Sequence, residues 1–201
     1  MVRKIGFIGT GVMGRSMIRN LKKNGFEVQI YSRTKEKAEE RIAEGIPWKE
    51  SVGECARGQD AVIMIVGYPQ DVEEVCFSEN GILEKAAPGT ILIDMATSSP
   101  VLTQRICRAA KDKGMEALDA PVSGGDSGAK AGTLSIMAGS GQHTKMANQI
   151  ALSGALAGAC EESAGFGADL PVLRDVLHMF EKLDAEGSGD LGTQALIKYY
   201  V

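Results

Sequence analysis

The 201-residue chain predicts an α/β fold: a doubly wound, mainly parallel sheet over residues 1–140, followed by a reduced all-helical segment over residues 141–201. Three observations carry that expectation. Strand-like and helix-like segments alternate through the first two-thirds, the pattern that builds a parallel sheet with helices on both faces. Stretches such as Ala61 to Val66 are apolar throughout rather than alternating, as strands covered on both faces are. From Gln142 onward strand signals stop and the chain reads as helix to its end.

Taken in order, Lys4 to Ile8 reads as a buried strand. Val12 to Asn24 follows as a helix, with Met13, Met17, Ile18 and Leu21 at helical spacing and Gly25 suited to the left-handed C-terminal position. Glu27 to Tyr31 is a second strand, and Lys35 to Glu44 a charged helix with Thr34 as its cap. Ser51 to Glu54 and Asp71 to Glu74 both fit a capping residue followed by Glu three places on. Thr90 to Asp94 is another strand, after which Ser99-Pro100 opens a helix with a cap and a first-position proline. Met115 to Asp119 and Thr133 to Met137 close the strand series, which puts a domain boundary near Gly139 to Gly141.

A hydrophobic fraction of 44% and a charged fraction of 24% are ordinary for a soluble globular protein. The net charge of −4, with Lys and Arg scattered, argues against a nucleic-acid surface. No apolar run approaches the length of a membrane span, and the opening MVRKIGFIGTG lacks the apolar region of a secretory signal, so a cytoplasmic protein is expected. Cys55, Cys76, Cys107 and Cys160 form no CxxC pair, which favours isolated reduced thiols over a metal or disulfide framework; no metal site is expected.

Gly9-Thr-Gly-Val-Met-Gly14 is G-x-G-x-x-G. The pattern alone is weak, but here it follows a strand and opens a helix, the context of the dinucleotide fingerprint and of a Rossmann-like domain. Gly9 suits the tight turn, Gly11 the close approach of a pyrophosphate, and Gly14 the packing of helix on strand. Helix N–H groups and dipole then favour the phosphates. At the end of the second strand an NAD site usually carries Asp or Glu. This chain has Tyr31-Ser-Arg-Thr-Lys35, in which Arg33 can fork onto a 2′-phosphate while Ser32, Thr34 and Lys35 add donors and charge. The bland alternative is a solvated surface arginine. NADP is the expected cofactor, with NAD possible.

Asp119-Ala-Pro-Val-Ser-Gly-Gly125 is a second glycine turn. The Ser123 hydroxyl beside backbone N–H groups of Gly124 and Gly125 makes a small concavity suited to a carboxylate, although a Ser-Gly-Gly turn is more often only a turn. Further on, Lys145, Asn148 and Gln149 stand at i, i+3 and i+4, on one face of a helix.

GFIGTGVMG, ATSSP, DAPVSGGDSGAKAGTLSIMAG and GQHTKMANQ, in that order, resemble the β-hydroxyacid dehydrogenases, the 3-hydroxyisobutyrate dehydrogenase-like family. The resemblance runs from Lys4 to Gly139, resumes across Gly141 to Glu161, and returns more weakly from Gly165 to the end. It implies an NAD(P)-dependent oxidoreductase acting on a small β-hydroxyacid or its semialdehyde or keto partner. By resemblance Gly9, Gly11 and Gly14, with Met13 between them, hold the dinucleotide. Val66 and Gly67 line the adenine and ribose side, and Thr97 meets the nicotinamide end. Ser123, Gly124 and Gly125 bind the substrate carboxylate. Lys145 matches the catalytic lysine, and Asn148 the amide that helps hold the reacting oxygen. A lysine aimed at a carbonyl that gains hydride stabilises the developing alkoxide and delivers a proton.

The sequence departs from the family twice. Gly139-Ser-Gly141 stands where the family inserts a further helix and strand. After Glu161-Glu-Ser163 most of the family's helical domain, with a Lys-Asp pair that helps close the active site, is absent. A covalent junction that short is expected to displace the Lys145 helix. The small-residue stretch Ile150 to Cys160 then seeks a packing partner in a second chain, giving a homodimer or higher homo-oligomer. Two other readings stay open: an NADP(H)-binding module impaired in catalysis by the loss of part of the fold, and a scaffold whose loops are relics.

Overall fold

The computed structural model describes residues 2–136 together with His178 and Lys182. The Gly139–Gly141 junction, Lys145, Asn148 and the segment 141–201 expected to be helical, with its small-residue stretch, lie outside the described residues, those two apart.

A five-stranded parallel sheet forms the centre: β1 (Lys4–Ile8), β2 (Glu27–Tyr31), β3 (Ala61–Met64), β4 (Ile91–Asp94) and β5 (Glu116–Asp119), in the order β2-β1-β3-β4-β5. Strands β1 to β4 are rich in β-branched and apolar residues, and β3 is buried at every position. The connecting helices are α1 (Val12–Lys23), α2 (Glu39–Ala43), α3 (Val52–Ala56), α4 (Pro69–Phe77), α5 (Ile82–Lys85) and α6 (Pro100–Asp112). After β5 come β6 (Val122–Ser123), α7 (Gly125–Ala131) and β7 (Ser135–Ile136).

Both faces of the sheet are covered, and strand alternation divides the core accordingly. Ile5, Phe7, Val28, Ile30 and Ile63 face α1, whose Met17 and Ile18 are buried against them; Ala38, Ile46 and Ala129 complete that cluster. Ile8, Val62, Met64 and Leu92 face the other way, onto Cys55, Val72, Cys76, Ile82 and Ile106 of α3 to α6. Gly6 permits one close approach: a Cβ there would stand 2.2 Å from the Cys55 carbonyl oxygen, so α3 lies directly against β1. Asn20 Nδ2 donates to the Ala129 carbonyl at 2.8 Å, tying α7 to α1.

Four local expectations are corrected. The segment after Thr34 is not one helix: Lys35–Ala38 is a 3₁₀ turn, closed by Lys37 N–H to the Thr34 carbonyl, before α2 begins at Glu39. Thr34 caps nothing with its side chain, and the Ser32 hydroxyl donates to its carbonyl instead. Asp71 is not a cap either. Pro69, with its φ already fixed for a helix, opens α4 after Tyr68, which leaves Asp71 inside the first turn. Finally, Thr133 to Met137 adds no strand to the parallel sheet. Its Ser135–Ile136 portion pairs antiparallel with Val122–Ser123 in a separate two-stranded ribbon, exposed at both β7 residues. The caps at Ser51 and Ser99 form as expected, their hydroxyls accepting from Glu54 N–H and Leu102 N–H at 3.2 Å each.

Candidate dinucleotide and substrate site

The chain leaves β1 towards β2 on one side, and β3 lies on the other. This reversal opens a crevice beyond the carboxyl ends of the strands, the place where open α/β sheets bind ligands. The crevice is a cleft of about 560 Å³ lined by Gly9 to Gly11 after β1, Tyr31 to Thr34 after β2, and Ile65 to Tyr68 after β3. Lys37, Glu50, Asp71 and Glu74 complete its charged wall.

The three motif glycines do different work. Gly9 has φ +102°, and a Cβ there would lie 2.1 Å from the Ile65 carbonyl oxygen, so this turn nests against the β3–α4 loop. At Gly14 a Cβ would lie 1.9 Å from the Gly9 carbonyl oxygen, so only a glycine lets α1 rise this close to its own loop. Gly11 meets nothing within 4 Å of its would-be Cβ and is exposed at the cleft floor, where it caps α1 without a side-chain acceptor. No acidic residue stands in the first turn of α1, so its N–H groups and positive dipole end face the cleft unopposed by a carboxylate of their own helix. A cradle with these properties fits a dinucleotide pyrophosphate.

Of the residues expected to hold a cofactor, Gly9, Gly11, Ser32, Arg33, Thr34, Val66 and Gly67 line this one cleft. Met13 packs its side chain on the core beneath α1, and Gly14 is buried behind the loop. Lys35 lies over the Trp48 ring at 4.6 Å, and Lys37, two residues on, lines the cleft instead. Arg33 is strongly exposed and already engaged: its Nη2 is 3.0 Å from Asp71 Oδ1, and its Nη1 3.9 Å from Glu74 Oε2. The sequence offered no sign of that pairing, since the two carboxylates sit 38 and 41 positions further along, on α4, and the spacing of Asp71 had suggested a cap.

The other end of the strand edge is of a different character. Asp94 and Asp119 are register partners at the ends of β4 and β5, and both are buried. Asp94 Oδ1 accepts from Ala96 N–H at 2.9 Å, fixing the turn that leads to half-buried Thr97. Burial pushes the Asp94 carboxyl up to about 8, helped by the nearby charge of Asp119 and opposed by the Ala96 bond. Burial likewise raises Asp119 to about 6. Asp94 Oδ2, Asp119 Oδ2 and the Ser98 and Thr103 hydroxyls have no hydrogen-bond partner among the described residues. Beyond β5 the chain turns through β6 into Gly124 and Gly125, with φ of +128° and +59°, and α7 begins at Gly125. Both glycines therefore adopt backbone that side chains rarely tolerate, and Leu134 packs 3.1 Å from the would-be Cβ of Gly124. Ser123 is half-buried in the ribbon opposite Ser135.

Cys55 and Cys76 are structural thiols. Burial pushes Cys55 up to about 12 and Cys76 well above the usual thiol range, and neither is exposed. Among the described residues no group of His, Cys, Asp and Glu could hold a metal ion, and no helix is long and apolar enough to cross a membrane.

Residues 4–160 match the family described as the NAD binding domain of 6-phosphogluconate dehydrogenase. An uncharacterized oxidoreductase of Bacillus subtilis is 47% identical over 191 residues, covering 82% of this chain and 66% of the relative. The chain belongs to the β-hydroxyacid dehydrogenase family. A second member, the Arabidopsis thaliana protein called "Probable 3-hydroxyisobutyrate dehydrogenase-like 1, mitochondrial", is 40% identical over 185 residues, covering 79% of this chain and 55% of the relative. The chain thus spans between about half and two-thirds of the length of these family members. The fold also matches the solved 3-hydroxyisobutyrate dehydrogenase of Mycobacterium tuberculosis, with a TM-score of 0.75 and 22% identity over 94% of this chain and 96% of that one. The parallel five-stranded sheet with flanking helices is a Rossmann-like fold, within the residues that match the NAD-binding family.

Proposed function

We propose that the protein is an NADP-dependent oxidoreductase that interconverts a small β-hydroxyacid and its semialdehyde or keto partner. The observation that supports this most directly is the cleft itself. A glycine loop with one open position, a helix N-terminus free of acidic side chains, and Arg33 at the ribose end converge on one crevice. A nicotinamide dinucleotide bound there supplies or accepts the hydride. The chain's own residues do the rest. The α1 N–H groups hold the pyrophosphate, and Arg33 with Ser32 and Thr34 receives the 2′-phosphate. Val66 and Gly67 line the adenosine side, and Thr97 meets the nicotinamide end. Ser123, Gly124 and Gly125 bind the substrate carboxylate. Lys145 moves the proton to and from the reacting oxygen, and Asn148 steadies that oxygen.

The test has two parts. NADPH and NADH titrated by fluorescence should show tighter NADPH binding, lost in Arg33→Ala; equal affinities or an unaffected variant would remove the NADP assignment. Turnover with small semialdehydes or β-hydroxyacids should vanish in Lys145→Ala while NADPH still binds. Retained activity there would place the proton transfer elsewhere.

A second reading rests on the length of the chain. Family members carry substantially more sequence than this one. A chain that binds NADPH and turns over none of these substrates would be a dinucleotide-binding module instead.

A further inference from the structure

The Arg33–Asp71–Glu74 cluster has a consequence for cofactor choice. Helix α4 begins at Pro69, so Asp71 and Glu74 stand at i and i+3 on one helix face, and both side chains line the cleft with Arg33. The guanidinium meets one carboxylate at each end of its fork: Asp71 Oδ1 at 3.0 Å on Nη2 and Glu74 Oε2 at 3.9 Å on Nη1. The Asp71 side chain is only 19% exposed. Its second oxygen lies 3.7 Å from where a Gly67 Cβ would be, so the carboxylate spans the gap between the β2 and β3 loops.

A 2′-phosphate needs the same fork that these carboxylates hold, and it must enter beside two negative charges. A ribose 2′-hydroxyl has neither difficulty, because it can donate to Asp71 while Arg33 stays paired. We propose that Asp71 and Glu74, acting across the cleft, are specificity-determining residues that restrain Arg33 and hold down the preference for the phosphorylated dinucleotide. This rests on the reading of the cleft as a dinucleotide site. The cofactor preference is then a property of three residues on two elements, not of the arginine after β2 alone.

The experiment measures the ratio of NADH to NADPH dissociation constants, by cofactor fluorescence, in the full chain and in Asp71→Asn, Glu74→Gln and Arg33→Ala/Asp71→Asn. Partly exposed ion pairs of this kind are worth up to about fivefold in an equilibrium. Asp71→Asn is expected to move the ratio towards NADPH by roughly fivefold, and Glu74→Gln, at a longer and more exposed contact, by roughly twofold. Glu74 is 68% exposed, so its variant reports even where Asp71→Asn perturbs the fold. Most of the gain from Asp71→Asn should disappear when Arg33 is also removed. A ratio that stays fixed or moves towards NADH in both single variants overturns the restraint while leaving the dinucleotide site standing. A gain of full size without Arg33 also overturns it. A wild-type chain that binds neither cofactor removes the dinucleotide site itself, and the restraint with it.

Discussion

The two ends of the sheet's carboxyl edge solve opposite problems. At the β1–β2–β3 end the backbone makes an open, charged cleft: Gly11 is exposed, Arg33 reaches into solvent, and carboxylates stand opposite it. At the β4–β5 end, on the other side of β3, the polar groups are buried. Asp94 and Asp119 lie side by side, each with its Oδ2 buried and unpartnered among the described residues. An open site keeps its charges because water screens them. A buried one keeps its carboxyls only by holding protons, which is why burial lifts Asp94 to about 8. The first end presents open α1 N–H groups that fit an anion, and the second keeps two carboxyls out of water at the ends of β4 and β5.

The sharpest way to break this comparison is at Gly14. Its Cβ would sit 1.9 Å from the Gly9 carbonyl oxygen and 3.2 Å from the Phe7 ring, and neither the loop nor the core can yield. Gly14→Ala should cost about 3 kcal/mol, lowering Tm by roughly 10 °C, and cofactor binding should go with it. A variant with wild-type Tm would show that the loop is looser than this packing requires.

The next largest effect concerns pH at the buried end. A carboxyl raised from 3.8 to about 8 holds its proton more tightly folded than unfolded. Between those values the folded state binds more protons, so stability falls as pH rises from about 4 to about 8, then levels. Asp94→Asn keeps the acceptor for Ala96 N–H and removes that slope. At pH 8 it should raise Tm by about 5 °C, on the order of 2 kcal/mol, and at pH 5 change it little. Any slope remaining below about 6 belongs to Asp119. Parallel melting curves for variant and wild type across pH 5–8 would show that Asp94 is not the proton-holding group.

How much of this was legible in the sequence follows from what each feature depends on. The sheet was legible because its strands are local apolar runs, and the glycine loop because backbone sterics alone fix Gly9 and Gly14. The caps at Ser51 and Ser99 were legible for the same reason. Asp71 was misread because two local signals competed, an Asp-x-x-Glu spacing and a proline two residues earlier, and the proline determined where α4 starts. The pairing of Arg33 with Asp71, the adjacency of Asp94 and Asp119, and the ribbon of Val122–Ser123 with Ser135–Ile136 depend on strand order and register. No local pattern encodes those. The two carboxylates at strand ends were visible as residues, but their shared burial was not.

Gly11 gives the smallest effect and the cleanest separation of binding from folding. Its φ of −68° suits any residue, and nothing lies within 4 Å of its would-be Cβ. Gly11→Ala should therefore still fold, with Tm lowered by no more than about 4 °C, since Ala at an N-cap costs about 1 kcal/mol. The added methyl instead occupies the space that a pyrophosphate needs above the α1 N-terminus. NADPH and NADH should weaken together, by about tenfold or about 1.4 kcal/mol, because the methyl stands at the part the two cofactors share. Equal loss on both distinguishes this position from Arg33, where the loss falls on NADPH. Unchanged affinity for both would mean that the phosphates lie elsewhere in the cleft, and the contrast between an anion-binding end and a buried end would lose its first half.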